Sequence, residues 1–318
     1  MDTPRFGTPL QSHEVPTVTA IVINLNGREL LRDALISLQQ QDYTALKIVV
    51  VDNGSTDGSQ ELVRASFHHV ILIENEKNEG FGGANNQGIA YALTSGSDYV
   101  LLFNNDAVAD KRCVSLLVES ARQHDAGMTG PKIYYHGDER RIWSAGGVVD
   151  LWRGKIAHIG IRQIDHGQFD RSVDVDYLTA CTVLINCKVL EHIGVFDPVY
   201  HPIYGEDTDL CQRARRAGYR LIFEPTAVVW HRISAFSGGG ITAFKVRLRL
   251  QHELLFFRRY ARGYHWITIP FFVLLRSLGY LVRWVIQGDW RLIGAVWQGF
   301  VELVAGKRRT TAHRADRG

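Results

Sequence analysis

Carboxylates and amides stand at the ends of apolar runs in this chain, and those are the places where chemistry would be sought. Tyr99-Val100-Leu101-Leu102-Phe103 stops abruptly at Asn104-Asn105-Asp106. Such a run reads as a strand buried on both faces, and open α/β sheets bind ligands at the carboxyl ends of their strands. A carboxylate there suits a hard divalent cation, which in turn suits a diphosphate. Asp106 would equally serve as the cap of a following helix. A second group, Glu206-Asp207-Thr208-Asp209, opens a helical pattern that ends in Arg213, Arg215 and Arg216. Acids first and basic residues last complement the helix dipole. Gly80-Phe81-Gly82-Gly83 would cradle a phosphate at a helix start, or only let helix and strand approach closely. His231 closes a late strand, where a lone histidine is either a hydrogen-bonding group or a ligand.

The elements that must position these groups follow a regular beat. Val18 to Ile23 is a first buried strand, ending at Asn24, with a helix from Arg28 to Gln41. Leu46 to Val51 is a second, ending at Asp52, with a helix from Ser59 to Phe67. Val70 to Ile73 is a third, followed by a helix to Thr94; after Asp106 a helix runs to His124. This alternation predicts a parallel sheet with right-handed crossovers. Met128 to Tyr177 is mixed, with short β-like pieces and no strong motif, whereas Leu178 to Ile185 and Leu221 to Trp230 read as buried strands. No GxGxxG follows the first strand and no GxxxxGK[ST] occurs, which argues against a dinucleotide-binding enzyme and a P-loop.

The chain has 318 residues, 46% of them hydrophobic, so it can bury a large core. A net charge of +3 gives no case for nucleic acid. Cys113, Cys181, Cys187 and Cys211 show neither CxxC nor zinc spacing and read as buried free thiols. Residues 1–16 lack an apolar signal-peptide region and read as a flexible lead-in.

Past His231 the character changes. Phe236-Ser237-Gly238-Gly239-Gly240 reads as a loop, and Thr242 to Tyr260 alternates basic and apolar residues in helical fashion. Trp266 to Ile286 is strongly apolar but interrupted by Arg276 and Arg283. Its longest uncharged stretch is about ten residues, short of the roughly 20 that a span requires. Arg276, Arg283, Gln287 and Arg291 share one helix side, with Trp284, Trp290 and Trp297 among the aliphatics. The expectation is a helix lying in a membrane interface, with a face buried on the rest of the protein or in a homodimer as the alternative. Lys307-Arg308-Arg309 would add attraction to anionic lipid.

The motifs VVVDNGSTDG, NEGFGGANNQG, LLFNND, GVFDPVY, YGEDTDLCQRARRAGYR and PTAVVWH occur in this order between Val18 and His231. Weak singly, together they make the chain resemble the family 2 glycosyltransferases of GT-A fold, and within them the rhamnosyltransferase-like members. The resemblance implies a mostly parallel Rossmann-like α/β sheet over 17–235; beyond it, where the family pattern fades, the residue pattern itself predicts a helical, membrane-associated region over 241–306 and a basic flexible tail over 307–318. It implies nucleotide contacts from Asn24, Asp52, Asn78, Gly80, Asn86, Asn104 and Asn105, with Asp52 reading the base and Asn104 near the ribose. Asp106, aided by His231, would hold Mg²⁺ or Mn²⁺, and Asp207, with Glu206 beside it, would be the catalytic base. The departures are Asn-Asn-Asp in place of a two-carboxylate motif, Leu25 where relatives often have Tyr, and Ala180 where they often have Gly.

The implied activity is metal-dependent, inverting transfer of a sugar, with a lean towards L-rhamnose, from a dTDP- or UDP-sugar. The acceptor expected is a hydroxyl of a lipid-linked or growing surface glycan, in cell-wall or polysaccharide synthesis. The place expected is the cytoplasmic side, peripheral on the inner face of the cell membrane. The alternative is a catalytically silent GT-A-like module in a glycan assembly complex. A nucleotidyltransferase is a more distant rival, for which a glycine-rich signature with a basic residue is missing near the first strand.

Overall fold

The computed structural model describes residues 15–232 and 242–287, together with Gly294. The first half keeps the alternation expected: β1 (Val18–Asn24), α1 (Arg28–Gln39), β2 (Leu46–Asp52), α2 (Ser59–Ser66), β3 (Val70–Glu74), α3 (Gly80–Thr94) and β4 (Tyr99–Asn104). After Asp106 the chain departs from it. A short strand, β5 (Ala107–Ala109), precedes α4 (Cys113–Gln123), and Arg112 is the N-cap residue of that helix. Asp106 therefore caps no helix.

Next come β6 (Ala126–Tyr135), β7 (Asp138–Ser144), β8 (Gly147–Asp150), β9 (Lys155–His158), β10 (Val173–Asp174), β11 (Thr182–Asn186) and α5 (Cys187–Ile193). A 3₁₀ turn (Pro198–Tyr200), α6 (Glu206–Arg216), β12 (Arg220–His231), α7 (Ala243–Tyr260), a second 3₁₀ segment (Gly263–Ile267) and α8 (Ile269–Gln287) complete the described chain. The stretch from Met128 that showed no strong pattern thus holds β6, a central strand. Its sequence AGMTGPKIYY carries two glycines and a proline, residues depleted in strands. Pro131 sits where the β6–β12 register slips, Pro131 opposing Glu224 and Lys132 opposing Val228, and an irregularity of this kind is where a sheet tolerates proline.

The main sheet runs β10-β12-β6-β11-β4-β1-β2-β3. β1 is parallel to β2 and β4, and β2 to β3. β11 is antiparallel to both β4 and β6, and β12 is parallel to β6. Two reversals restore direction, so β6 and β12 point the same way as β1 to β4, while β11, β7 and the short β5 and β10 run against them.

Alternate residues of these strands feed two cores. Val18, Ala20 and Val22 face α1, α2 and α4 through Leu31, Leu35, Val63 and Leu117. Ile21, Val49 and Leu102 face α3, α5 and α6 through Ile89, Leu190 and Leu210. The strands are apolar on both faces because helices cover both. All four cysteines are free and buried. A third cluster of Phe256, Phe257, Tyr260 and Ile269 packs α7 and α8 on Val149, Leu151 and Ile156 of the β8–β9 hairpin.

The direction of the sheet decides where its polar residues meet. Asn24 pairs with Asp52, and Ile23 with Asn104, so β1, β2 and β4 end at one level. β2 and β3 extend from one side of β1 while β4 lies on the other, which makes the β1–β4 junction the switch point where a crevice opens.

Candidate active site

Across that crevice Asn105 Nδ2 donates to Asn24 Oδ1 at 2.8 Å, and Asn24 Nδ2 donates to Asp52 Oδ2 at 2.9 Å. Asp52 is fully buried. Its carboxylate also accepts from the Ser55 backbone N–H and hydroxyl at 2.8 and 2.7 Å and from Gln60 Nε2 at 2.8 Å. Its own loop thus holds the carboxylate under the mouth of the crevice. The half-buried Asn104 closes β4, its backbone N–H donating to Cys181 O at 2.9 Å.

Beyond Asn105 the chain turns into β5, which pairs with the end of β12 and sets Ala107 opposite His231. That pairing brings Asp106 Oδ1 to 2.9 Å from His231 Nε2, both side chains being buried. The contact lacks hydrogen-bond geometry, and Asp106 Oδ1 and His231 Nδ1 have no hydrogen-bond partner. Asp106 Oδ1 and His231 Nε2 converge as an ion pair, and with the ring deprotonated on metal binding the carboxylate and imidazole form a donor set that fits Mn²⁺ or Mg²⁺. Among the described residues no third His, Cys, Asp or Glu joins them, so diphosphate oxygens or water would complete the sphere. Burial pulls the His231 imidazole down, but Cys181 and Asp106 outweigh it and push it up to about 10. Trp143 lies with its ring 4.5 Å from His231 and 4.6 Å from His158, an aromatic support that no sequence motif announces.

The reversed strand β11 links this centre to the acids of α6. Its approach places Cys181 against Asn104, and one residue earlier the Ala180 N–H donates to Asp207 Oδ2 at 3.4 Å. Asp207 Oδ1 accepts from the Thr208 N–H at 2.7 Å. Gly205, at φ 94°, and Tyr204, at φ 81°, turn the chain sharply into α6. Tyr204 is thereby held in a region that non-glycine residues rarely occupy.

The two acids at the head of α6 differ. Glu206 is buried with Oε2 unpartnered, and burial followed by the charge of Asp207 lifts its carboxyl well above the usual range. Asp207 is half-buried. Burial raises its carboxyl too, against the opposing pull of the Thr208 and Ala180 N–H groups. Two acids with separated environments suit separate roles. Asp207 is the one within reach of solvent, while Glu206 is enclosed.

Of the residues expected to touch nucleotide, Asn24 and Asp52 are fully buried and bonded to each other and to Ser55, Gln60 and Asn105, and Asn86, Asn78 and Gly80 are engaged elsewhere. Asn86 spends both ends of its amide on the backbone of Phe196, at 2.9 and 3.0 Å. Asn78 Oδ1 accepts from the Gly80 N–H at 2.8 Å. Gly80 has φ 76°, and a Cβ there would stand 2.6 Å from His201 Nδ1. The Phe81 N–H donates to Pro202 O at 2.9 Å. The start of α3 is thus fastened to the 196–202 segment, and Gly80 serves a close approach to the His201–Pro202 loop, not to a strand. The crevice gathers Asn24, Asp52, Asn104, Asn105, Asp106 and His231. Asp207 joins them through Ala180 and Cys181, whose backbone role the sequence reading missed. The small residues opening the Leu178 to Ile185 run were the available signal. A polar hollow lined by Lys132, Tyr134, Arg140, Asp165, His166, Gly167 and Asp170 shares none of these side chains. Its Lys132 is already paired with Asp165 and Asp170.

A mostly parallel sheet of this order, with β11 reversed in its middle and polar carboxyl ends, is the GT-A fold. It superposes on a mannosyltransferase from Pyrobaculum calidifontis solved with GDP-Man and Mn²⁺, with a TM-score of 0.57 and 20% identity over 93% of this chain and 77% of that one. The chain belongs to glycosyl transferase family 2, whose profile matches residues 19–194, more than half its length. It is similar to a poly-beta-1,6-N-acetyl-D-glucosamine synthase of Staphylococcus aureus, with 25% identity over 76% of this chain and 56% of that protein. It is also similar to a pre-mycofactocin glycosyltransferase of Mycobacterium tuberculosis, with 26% identity over 72% of this chain and 48% of that protein. The chain spans about half or less of the length of the curated relatives it matches.

Proposed function

We propose that this chain transfers a sugar, with inversion, from a nucleoside-diphosphate donor to an acceptor hydroxyl at a membrane surface. The observation that carries the reading is the Asp106–His231 pair at the carboxyl end of β4, joined through Ala180 and Cys181 to Asp207. Asn104 and Asn105 would line the nucleotide side of the crevice, with the buried Asn24 and Asp52 beneath. Asp106 and His231 would hold a divalent ion, which when bound supplies Lewis-acid stabilisation to the leaving diphosphate. Asp207 would take the acceptor proton as that oxygen attacks the anomeric carbon. Its raised pKa improves the match to a hydroxyl. One base and a single displacement imply inversion, since the enclosed Glu206 is poorly placed to act as a nucleophile. The names of the relatives, and the nucleotide sugar bound by the mannosyltransferase, support a nucleotide-sugar donor. L-rhamnose from a dTDP- or UDP-sugar, and a lipid-linked or surface-glycan acceptor, are our finer proposals from the motif likeness and the C-terminal region.

Among the described residues no helix is long and apolar enough to cross a membrane. α8 instead exposes Ile267, Phe271, Leu274, Leu275 and Leu278 on and just before its outer side. Arg276 turns inward, donating to Gly154 O at 2.9 Å and pairing with Glu253 at 3.3 Å. No Asp or Glu occurs from Leu254 to Gln287, whereas Arg258, Arg259, Arg262, Arg276 and Arg283 do. An apolar stripe within an acid-free, basic stretch supports seating on an anionic lipid surface. In this reading 17–235 is the catalytic unit and 241–306 the membrane-directed region, peripheral on the cytoplasmic face. The Gly238–Gly240 run, Arg291, Trp290, Trp297, the lead before residue 15 and the Lys307-Arg308-Arg309 tail lie outside the described residues.

A silent GT-A module is the second reading. It is favoured by the single carboxylate of Asn-Asn-Asp and by the absence of a third side-chain ligand among the described residues. Screening sugar nucleotides for turnover with Mn²⁺ or Mg²⁺ and with chelator separates the two. Turnover lost on chelation supports the enzyme, and binding without turnover across the panel supports the module.

A further inference from the structure

α7 lies outside the motifs that carry the resemblance, yet its side chains reach the segment that bears the catalytic acids. We infer that Arg259 and Tyr260 are positioning residues for Asp207, acting through the buried carboxylate of Asp209; this rests on the reading of Asp207 as the base. Asp209 is fully buried. Its Oδ1 accepts from Tyr260 Oη at 2.7 Å, from Arg259 Nη1 at 2.7 Å and from Tyr200 Oη at 3.3 Å. Its Oδ2 accepts from Arg213 Nε at 2.8 Å. Arg259 Nη2 donates to Asp197 Oδ2 at 2.7 Å, while Asp197 Oδ1 caps the Pro198–Tyr200 turn through the Val199 N–H. A single guanidinium therefore ties both ends of the segment that leads into α6.

The helix geometry makes this tie directional. At 3.6 residues per turn, Asp207 and Asp209 project about 200° apart. Bonds that pin Asp209 against α7 therefore set how Asp207 is presented on the opposite side of the first turn. The left-handed Tyr204–Gly205 pair just before it is also held from α7, since His252 Nδ1 lies 2.7 Å from Tyr204 O and 3.0 Å from Ile203 O. A strained turn persists when its surroundings over-determine it. Asp197 and Asp209 balance Arg213 and Arg259 in charge. Only Asp209 is buried, and pairs with the partly exposed Arg213, Arg259 and Asp197 add little net stability. What the cluster supplies here is direction, with four donors converging on one carboxylate.

The experiment is a mutant cycle in the full chain. Tyr260→Phe removes one hydroxyl and keeps the ring that packs 4.6 Å from Phe256; Arg259→Lys keeps the charge and loses the fork. Each is measured alone and with Asp207→Asn, together with melting temperature and donor KM. The expected result for each single variant is a kcat about 10-fold lower with donor KM unchanged, since misplacement by ~1 Å costs about 10². With Asp207→Asn present the further loss disappears, because the group being positioned is no longer a base. An unchanged kcat, or an equal fold-loss in the Asp207→Asn background, overturns the inference. If Arg259→Lys fails to fold, Tyr260→Phe decides it. If Asp207→Asn itself leaves turnover intact, the base assignment falls and the inference with it.

Discussion

The apolar stripe of α8 can be weighed directly. Leu274 is 69% exposed and Leu278 is 55% exposed, and neither supports the core, so replacing both by serine leaves the fold intact. Burying a leucine side chain fully contributes about 1.5–3 kcal/mol. Scaled by their exposure, the pair would lose about 2–4 kcal/mol on passing into an interface. At about 1.4 kcal/mol per decade, that weakens the partition coefficient roughly 30- to 700-fold. The assay is cosedimentation of full-length protein with anionic vesicles across a lipid titration, at low and high salt. Wild type should pellet and lose part of its binding in salt, because screening shortens the reach of Arg258 and Arg262 from about 10 Å at 0.1 M to about 3 Å at 1 M. The apolar part should remain, since burial is not screened. The double variant should lose that residue of binding while its melting temperature holds. A double variant that pellets as well as wild type would refute the assignment of this face. A wild type that stays in solution as a dimer, which the double variant splits, would show a second copy on the face instead.

Asp207→Asn should lower kcat about 10²–10⁴-fold with donor affinity kept. Because burial holds its carboxyl above the usual range, the wild-type rate should rise with pH through that shifted pKa, and the variant should lose this limb. Glu206→Gln should cost less activity, and the opposite ranking of the two variants would reverse our assignment. It should also raise relative stability. A raised carboxyl binds its proton more tightly in the fold, so stability present below the unfolded carboxylate value is lost as pH climbs through the raised one. The gain in melting temperature should therefore grow across that window, and a gain seen equally at acid pH would contradict it. Asp106→Ala should abolish transfer and metal-dependent nucleotide binding, with His231→Ala milder; calorimetry of nucleotide with and without Mn²⁺ would show it, and equal binding in the wild type under both conditions would remove the metal role. Gly80→Ala should lower melting temperature, since its Cβ meets His201 at 2.6 Å at a positive φ.

The strands ending at Asn24, Asp52 and Asn104 could be read from the sequence because burial on both faces leaves an uninterrupted apolar run, and the break to polar residues marks the sheet edge. The order of motifs placed Asp106 at that edge and Asp207 at the head of a helix. β6 could not be read so, because its glycines answer to distant neighbours: a Cβ on Gly130 would meet Leu178 at 2.6 Å and one on Gly127 would meet Tyr219 at 2.8 Å. Locally they look like strand breakers. Gly80 was ambiguous until His201 appeared beside it. That Asp106 faces His231 was decided by β5 pairing with β12, and that Ala180 meets Asp207 by the reversal of β11. The tie from Arg259 to Asp209 and Asp197 joins residues 50 and 62 positions apart. Periodicity reports only what a residue does within its own element. Pairings between elements far apart in the chain arise when the sheet and its covering helices close, and the tertiary structure alone decides them.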